Sequence, residues 1–164
     1  MDIAAFYAVV AGVNFTLLGL WWVAVQEKID LRDRAARRMA YVVALQFMIP
    51  GTTALISQVA PTVTAIWRVT FTLAGLVGAA GVLLVAPVLR QATARTSATL
   101  MLAFGLPLYL AVALVAAVPG VHEAVSDQLT GLQTEAILFS LLVLLSVQVA
   151  WMVAMAPASR TDGG

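Results

Sequence analysis

Five apolar stretches, each close to the length of a membrane span, constrain the fold of this chain more than any other feature. They cover residues 3–26, 39–60, 66–89, 98–118 and 135–156. A helix needs about 20 apolar residues to cross a hydrocarbon core, and only helices or closed barrels satisfy their backbone in lipid. The stretches lack the alternation typical of strands. We therefore predict an all-α integral membrane protein, a single bundle of five transmembrane helices over residues 1–164.

The composition limits the partners and the chemistry. Charged residues make up 10% of the chain, against roughly a quarter in soluble domains, so we expect the lipid bilayer as partner. The net charge is +1, which gives no basic field for nucleic acid. There is no cysteine, which excludes disulfides and thiolate metal sites. Arginine is far commoner than lysine and alanine is abundant, which indicates a bacterial genome.

The distribution of basic residues predicts the orientation. One side of the membrane receives the cluster between the first two stretches, together with Arg90, Arg95 and Arg160, whereas the other side receives only Arg68. The cluster consists of Lys28, Arg32, Arg34, Arg37 and Arg38. Because positive residues favour the cytoplasmic side, we predict a multi-pass inner-membrane protein with its amino terminus outside and its carboxyl terminus in the cytoplasm. The first stretch is interpreted as a retained span.

Two connecting segments carry helical signals. Asp30 and Asp33 precede Arg34 and Arg37 by four residues, a spacing that supports a helix, so the second span is expected to extend into the cytoplasm. The segment 119–134 has apolar residues at helical spacing. It is either a short amphipathic helix on the membrane surface or an irregular polar loop.

The sequence also suggests an internal repeat. FTLLGL at 15–20 resembles FTLAGL at 71–76, and LQFMIP at 45–50 resembles LAFGLP at 102–107. Each unit is a helical hairpin, so the units are predicted to be tandem parallel repeats. The alternative is chance similarity between apolar segments.

Ionisable residues are placed in loops or at span ends, and this placement removes several functions. An intramembrane charge marks a functional site by default, and no stretch carries one at its centre. We therefore expect no carboxylate proton relay, no cofactor, no metal and no catalytic residue, and we predict that the protein is not an enzyme. His122 is the only histidine, which excludes bis-histidine haem ligation within one chain.

Arg68 and Glu135 lie near the outer ends of the third and fifth spans and are predicted to pair. The arrangement favours either an electropositive mouth for anions or a structural arginine held by Glu135 or by lipid headgroups.

Uncharged polar residues and prolines form the remaining candidates. Gln46, Thr53 and Ser57 share a helix face with Pro50, and Tyr7, Asn14 and Trp21 recur at heptad spacing. A proline removes a backbone hydrogen bond and frees a carbonyl. The candidates either line a polar pathway or act as interhelical hydrogen bonds; as pathway residues they are Asn14, Gln46, Pro50, Thr53, Ser57, Pro107 and Gln148.

Small residues in the third stretch predict close helix contact. Gly75, Gly78 and Gly81 contribute to a face on which another backbone can approach, either within the chain or between subunits. Two functions remain: a passive, homo-oligomeric channel or transport subunit for an ion or small solute, or a non-catalytic accessory or scaffold subunit of a larger membrane complex.

Overall fold

A computed structural model describes residues 2–28, 32–59, 63–91, 95–124 and 128–155. Every regular element within these ranges is helical. The main helices are α1 (Ile3–Lys28), α2 (Arg34–Val59), α3 (Thr64–Gln91), α4 (Arg95–Leu100), α5 (Leu106–Ala117) and α6 (Gly131–Ala154). A π-helical turn, Met101–Gly105, joins α4 to α5, and a 3₁₀ turn, Val121–Ala124, precedes α6.

Five helical segments are long and apolar enough to cross a membrane, as predicted. They are Ile3–Glu27, Ala36–Val59, Thr64–Leu84, Thr96–Ala117 and Gly131–Ala154. The fourth consists of α4, the π turn and α5, and we call it the fourth span. The fifth begins at Gly131, four residues before the predicted start, because Thr130 and Gln133 form a reciprocal capping box there. These segments support a multi-pass membrane protein.

Side-chain caps explain where the other helices begin. Asp2 Oδ1 accepts hydrogen bonds from the main-chain N–H groups of Ala4 and Ala5 at the start of α1. Asp33 Oδ2 accepts from Ala36 N at the start of α2, so Asp33 acts as an N-cap. The expected charged extension of the second span is present from Arg34, while Asp30 lies outside the described residues.

The segment before α6 is only partly described. The chain turns at Gly120, which has a φ of +80°, a value that favours glycine. The 3₁₀ turn Val121–Ala124 follows. Of the segment left open between a surface helix and an irregular loop, the described part holds this short turn and the early start of α6, and residues 125–127 lie outside the described ranges.

The bundle consists of two helix pairs and one additional helix. α1 packs against α2, α3 packs against α5, and α6 contacts α1, α2 and α5. Trp21 Nε1 donates to Ala40 O (3.0 Å) and Asn14 lies against Gly51, so α1 and α2 are antiparallel. Tyr7 Oη donates to Leu132 O (3.0 Å), which places the starts of α1 and α6 at the same end. We call this end of the bundle the Glu135 end.

Residues matched by the suggested repeat differ in environment. Phe15 is exposed whereas Phe71 is buried, and Phe47 is buried whereas Phe104 is exposed. α6 packs along both α1 and α2 of the first hairpin, whereas in the second it packs along the fourth span and meets α3 through the Phe71–Phe139 ring contact. The repeat remains a prediction, and the two hairpins do not occupy equivalent positions in the bundle.

Candidate functional site

Buried polar residues of α2, α5 and α6 meet in the interior of the bundle. Tyr109 Oη donates to Gln46 Oε1 (2.9 Å), and both side chains are buried. The Tyr109 ring lies directly over Gly78, where even one added carbon would collide with it. Gln46 is thus held by a tyrosine that the sequence analysis did not select.

Pro50 leaves the main-chain carbonyl of Gln46 without its helical donor. Proline has no N–H, so the bond from residue 50 to residue 46 cannot form. The hydroxyl of Ser146 on α6 lies 3.4 Å from Gln46 O and 2.7 Å from Leu142 O. Its single hydrogen is directed mainly to its own helix, so Gln46 O keeps acceptor capacity inside the bundle.

The other predicted pathway residues of α1 and α2 are also buried. Asn14 donates through Nδ2 to Val10 O (2.8 Å), while its Oδ1 is buried without a partner in the described chain. Thr53 and Ser57 donate to main-chain carbonyls of their own helix. These side chains lie inside one chain, away from its outer surface.

Two predicted pathway residues lie on the outside of the bundle. Pro107, at the start of α5, and Gln148, on α6, are both exposed. The structure therefore separates the predicted pathway residues by burial. Pro107 and Gln148 lie on the surface, and the other five lie in the interior: Asn14, Gln46, Pro50, Thr53 and Ser57.

Glu135 is the most unusual residue of the bundle. Its side chain is 0% exposed, and neither carboxylate oxygen has a hydrogen-bond partner in the described part of the chain. A buried, unpaired carboxylate is expensive in an apolar environment. Although the sequence position at a span end suggested contact with water, the interior of the bundle encloses this residue, which corrects the expectation that the spans hold no buried ionisable group.

An aromatic cluster closes the bundle on the inner side of Glu135. Phe139, one turn further along α6, packs against Phe71 with ring centroids 4.9 Å apart. Tyr7 packs edge-on against Phe71 at 5.7 Å and bonds to Leu132 O, one turn before Glu135. Glu135 is thus fixed between a hydrogen-bonded tyrosine and a tightly packed apolar layer.

The predicted Arg68–Glu135 pair is not formed. Arg68 Nε and Nη2 donate instead to Ala116 O (2.8 Å) and Ala117 O (2.9 Å). These carbonyls belong to the last turn of α5, which lacks helical donors and carries the negative end of the helix dipole. Arg68 therefore serves as a cap that ties α3 to α5, and no countercharge faces Glu135 among the residues that the structure describes.

Helix register gives the relative depths of the buried polar groups. α2 and α6 run in opposite directions and meet at Gln46 and Ser146. Equal steps along the two helices, from Gln46 to Ser57 and from Ser146 back to Glu135, cover about 16 Å each. Ser57 and Glu135 therefore lie at one depth, and Thr53 lies between them and Gln46.

The predicted glycine face is an internal contact for two of its three members. An added Cβ on Gly75 would lie 2.6 Å from Ala113 N and Tyr109 O, main-chain atoms of α5. Gly78 contacts the Tyr109 ring, whereas a Cβ added at Gly81 would have no atom of the described chain within 4 Å. The close approach is thus made within the chain, and Gly81 takes no part in it.

Neither a metal centre nor a relative identifies the site. Among the described residues, no group of three or more histidine, cysteine, aspartate or glutamate side chains is placed to hold a metal ion. No family model, curated protein or solved structure matches the chain.

The sequence did not identify Tyr109 and Ser146 as site residues. It also did not show that Tyr7 contacts α6. A signal for Ser146 was present, since Glu135, Phe139, Leu142 and Ser146 follow heptad spacing on α6 and all are buried. The heptad set Tyr7, Asn14 and Trp21 was noted, and its three side chains are indeed buried. Tyr109 gave no comparable local signal, because its partner is remote in sequence.

Proposed function

We propose that the protein is a membrane transport subunit that conducts protons through the interior of its own bundle, with Glu135 as the proton-binding group. The observation that carries the proposal is the fully buried carboxylate of Glu135 with two unpaired oxygens. An ionisable residue enclosed in a membrane span indicates function by default. A purely structural role would call for a partner, and Glu135 has none among the described residues.

The packing of the bundle favours a proton over a hydrated ion or a larger solute. Three aromatic rings fill the layer beside Glu135. The ring centroid of Phe71 lies 4.9 Å from that of Phe139 and 5.7 Å from that of Tyr7. Such close packing leaves little room for a cation with its water. A proton needs only groups that donate and accept hydrogen bonds. From the Glu135 end inward, the buried residues that carry such groups are Glu135 and Ser57, then Asn14 and Thr53, and finally Gln46.

The geometry also changes the proposed location of the path. A pore between subunits would require outward-facing polar residues on several helices, but five of the seven predicted pathway residues are buried inside one chain. We therefore place the path at the contact of α1, α2 and α6, which touch one another pairwise.

The orientation in the membrane belongs to the same proposal. The basic residues around Lys28–Arg38 and at Arg90 support an inner-membrane location with the Glu135 end facing outward. Glu135 would then receive protons from the outer side, and Gln46 would lie toward the cytoplasmic half.

The test is proton flux into proteoliposomes that contain only this protein. A potassium gradient with valinomycin supplies the driving force, and a trapped pH-sensitive dye reports the flux. We expect flux with the wild type and its loss in Glu135→Gln, which keeps the shape of the side chain but cannot release a proton. Glu123→Gln is the matched control because Glu123 is exposed in the 3₁₀ turn, and it should conduct as the wild type does.

Two outcomes would overturn the proposal. Wild-type liposomes no more permeable than empty ones would remove proton conduction as the function. Equal flux in the wild type and in a correctly folded Glu135→Gln would remove Glu135 from the path.

The second candidate is a non-catalytic accessory or scaffold subunit. It is favoured by the local hydrogen bonds of Thr53 and Ser57, which donate to carbonyls of their own helix and so need no transported species. Proteoliposomes without flux, together with co-purification of a second membrane protein, would support it.

A further inference from the structure

The outward face of α6 carries a regular stripe of large side chains. All members are exposed and recur at alternating spacings of four and three residues, the spacing at which two helices pack along a seam. They are Ile137, Leu141, Leu144, Gln148, Trp151 and Met155. The opposite face of α6 has the same spacing and is already buried in the bundle. We call the exposed set the α6 stripe.

Gln148 is the polar member of the stripe. It lies six residues before the end of the span Gly131–Ala154, or about 9 Å from that end, at a depth where lipid offers no hydrogen-bond partner. The structure gives its carboxamide no partner within the described chain. A polar residue at one position of an otherwise apolar seam fixes the register of the helices that meet there.

We propose that the α6 stripe is a homodimer interface, in which Gln148 hydrogen-bonds to Gln148 of a second copy. Copies inserted in one orientation present parallel α6 helices, so a two-fold axis along the membrane normal brings identical residues together at the same depth. A carboxamide has both a donor and an acceptor, so two glutamines satisfy each other reciprocally. This self-complementarity singles out a second copy of the chain as the occupant.

The spacing also defines the shape of the interface. A heptad seam gives a left-handed crossing of about 20°. Leu141 and Leu144 then pack on the same residues of the partner on one side of Gln148, and Trp151 does so on the other. The interface leaves Glu135 enclosed within each chain, so it is independent of the proposed proton path.

Single-cysteine cross-linking tests the interface directly, because the chain contains no cysteine of its own. Cysteine is introduced singly at Leu141, Leu144 and Gln148, and the protein is oxidised in the membrane at a low protein-to-lipid ratio. We expect dimers at all three positions. Two exposed positions on other helices serve as controls: Val9→Cys on α1 and Leu84→Cys on α3, and neither should cross-link.

The hydrogen bond is tested by Gln148→Leu in an otherwise wild-type chain. We expect the dimerisation constant, measured by energy transfer between labelled copies in liposomes, to fall by about threefold for each lost bond of average strength. Gln148→Asn, which can still form reciprocal bonds, should retain most of the dimer. Gln58→Leu, a partly buried glutamine of α2, is the control and should leave dimerisation unchanged.

Three results would overturn the interface. The first is a wild-type protein that remains monomeric at all accessible protein-to-lipid ratios. The second is cross-linking at Leu84 that is as efficient as cross-linking on the stripe, and the third is capture of a different protein at position 148 in place of a second copy.

Discussion

The contact between α3 and α5 predicts a large difference between two chemically identical substitutions. A Cβ added at Gly75 would lie 2.6 Å from Ala113 N and from Tyr109 O. Ordinary contact begins at 3.4 Å, so α3 and α5 would have to separate by about 0.8 Å. Both opposing atoms are main-chain atoms of a helix, and neither can rotate away. The new methyl group must therefore displace a whole helix.

The magnitude follows from a comparison with Gly81, where an added Cβ would have no neighbour within 4 Å in the described part of the chain. Both substitutions gain the same helix propensity, about 1 kcal/mol for glycine to alanine, and this gain cancels in the comparison. Overpacking of a well-packed interior costs about 1–3 kcal/mol. We therefore expect Gly75→Ala to be less stable than Gly81→Ala by about 1–3 kcal/mol, with Gly81→Ala at least as stable as the wild type.

The assay is reversible unfolding in mixed micelles, in which the denaturing detergent fraction is increased and helix content is followed by circular dichroism. The two variants and the wild type are measured at the same protein concentration. Equal free energies of unfolding for Gly75→Ala and Gly81→Ala would show that α3 and α5 do not approach as closely as the structure indicates.

Other substitutions test the polar contacts. Tyr109→Phe removes the donor to Gln46 Oε1 and should lower stability by about 0.6–1.7 kcal/mol, the span from average to strongest hydrogen bonds between membrane helices, as seen in micelle unfolding. Gln46→Leu should reduce proton flux in liposomes while the protein still assembles, and unchanged flux would reduce Gln46 to a packing role. Arg68→Ala and Glu135→Ala should change stability additively, to within about 0.5 kcal/mol, because the two residues do not pair; a strong coupling in the double variant would contradict the structure.

The number of spans and their approximate limits could be predicted because they depend on local composition. An apolar run of sufficient length has few alternatives in a bilayer. The burial of Gln46, Pro50 and Thr53 on a common face could also be anticipated, since helical spacing alone brings them together. The helix starts at Arg34 and Gly131 required the caps at Asp33 and Thr130, which are equally local signals.

The environment of single polar residues could not be predicted in the same way. α6 has two faces with the same heptad spacing, one with Glu135 and Ser146 and the other with Gln148, so its sequence does not show which face meets the bundle. The environments of Glu135 and Gln148 are therefore the reverse of those expected. Glu135, near the span end, was expected to be accessible but is enclosed, whereas Gln148, deeper in the span, was expected inside the bundle but faces outward. Only the positions of α1, α2 and α5 around α6 decide between the two faces.

The two central prolines show why matching sequence signals do not produce matching sites. Both remove a helical donor, but Pro50 faces the interior and Pro107 faces outward. At Pro107 the backbone itself adjusts, since a π turn precedes the proline and Leu106 N donates to Met101 O, five residues back. At Pro50 the helix continues unchanged, and the freed Gln46 carbonyl remains beside Ser146. A carbonyl left in the interior adds an acceptor beside the buried polar residues of the proposed path, whereas Pro107 lies on the bundle surface away from them. The proposed path therefore involves Pro50 and not Pro107.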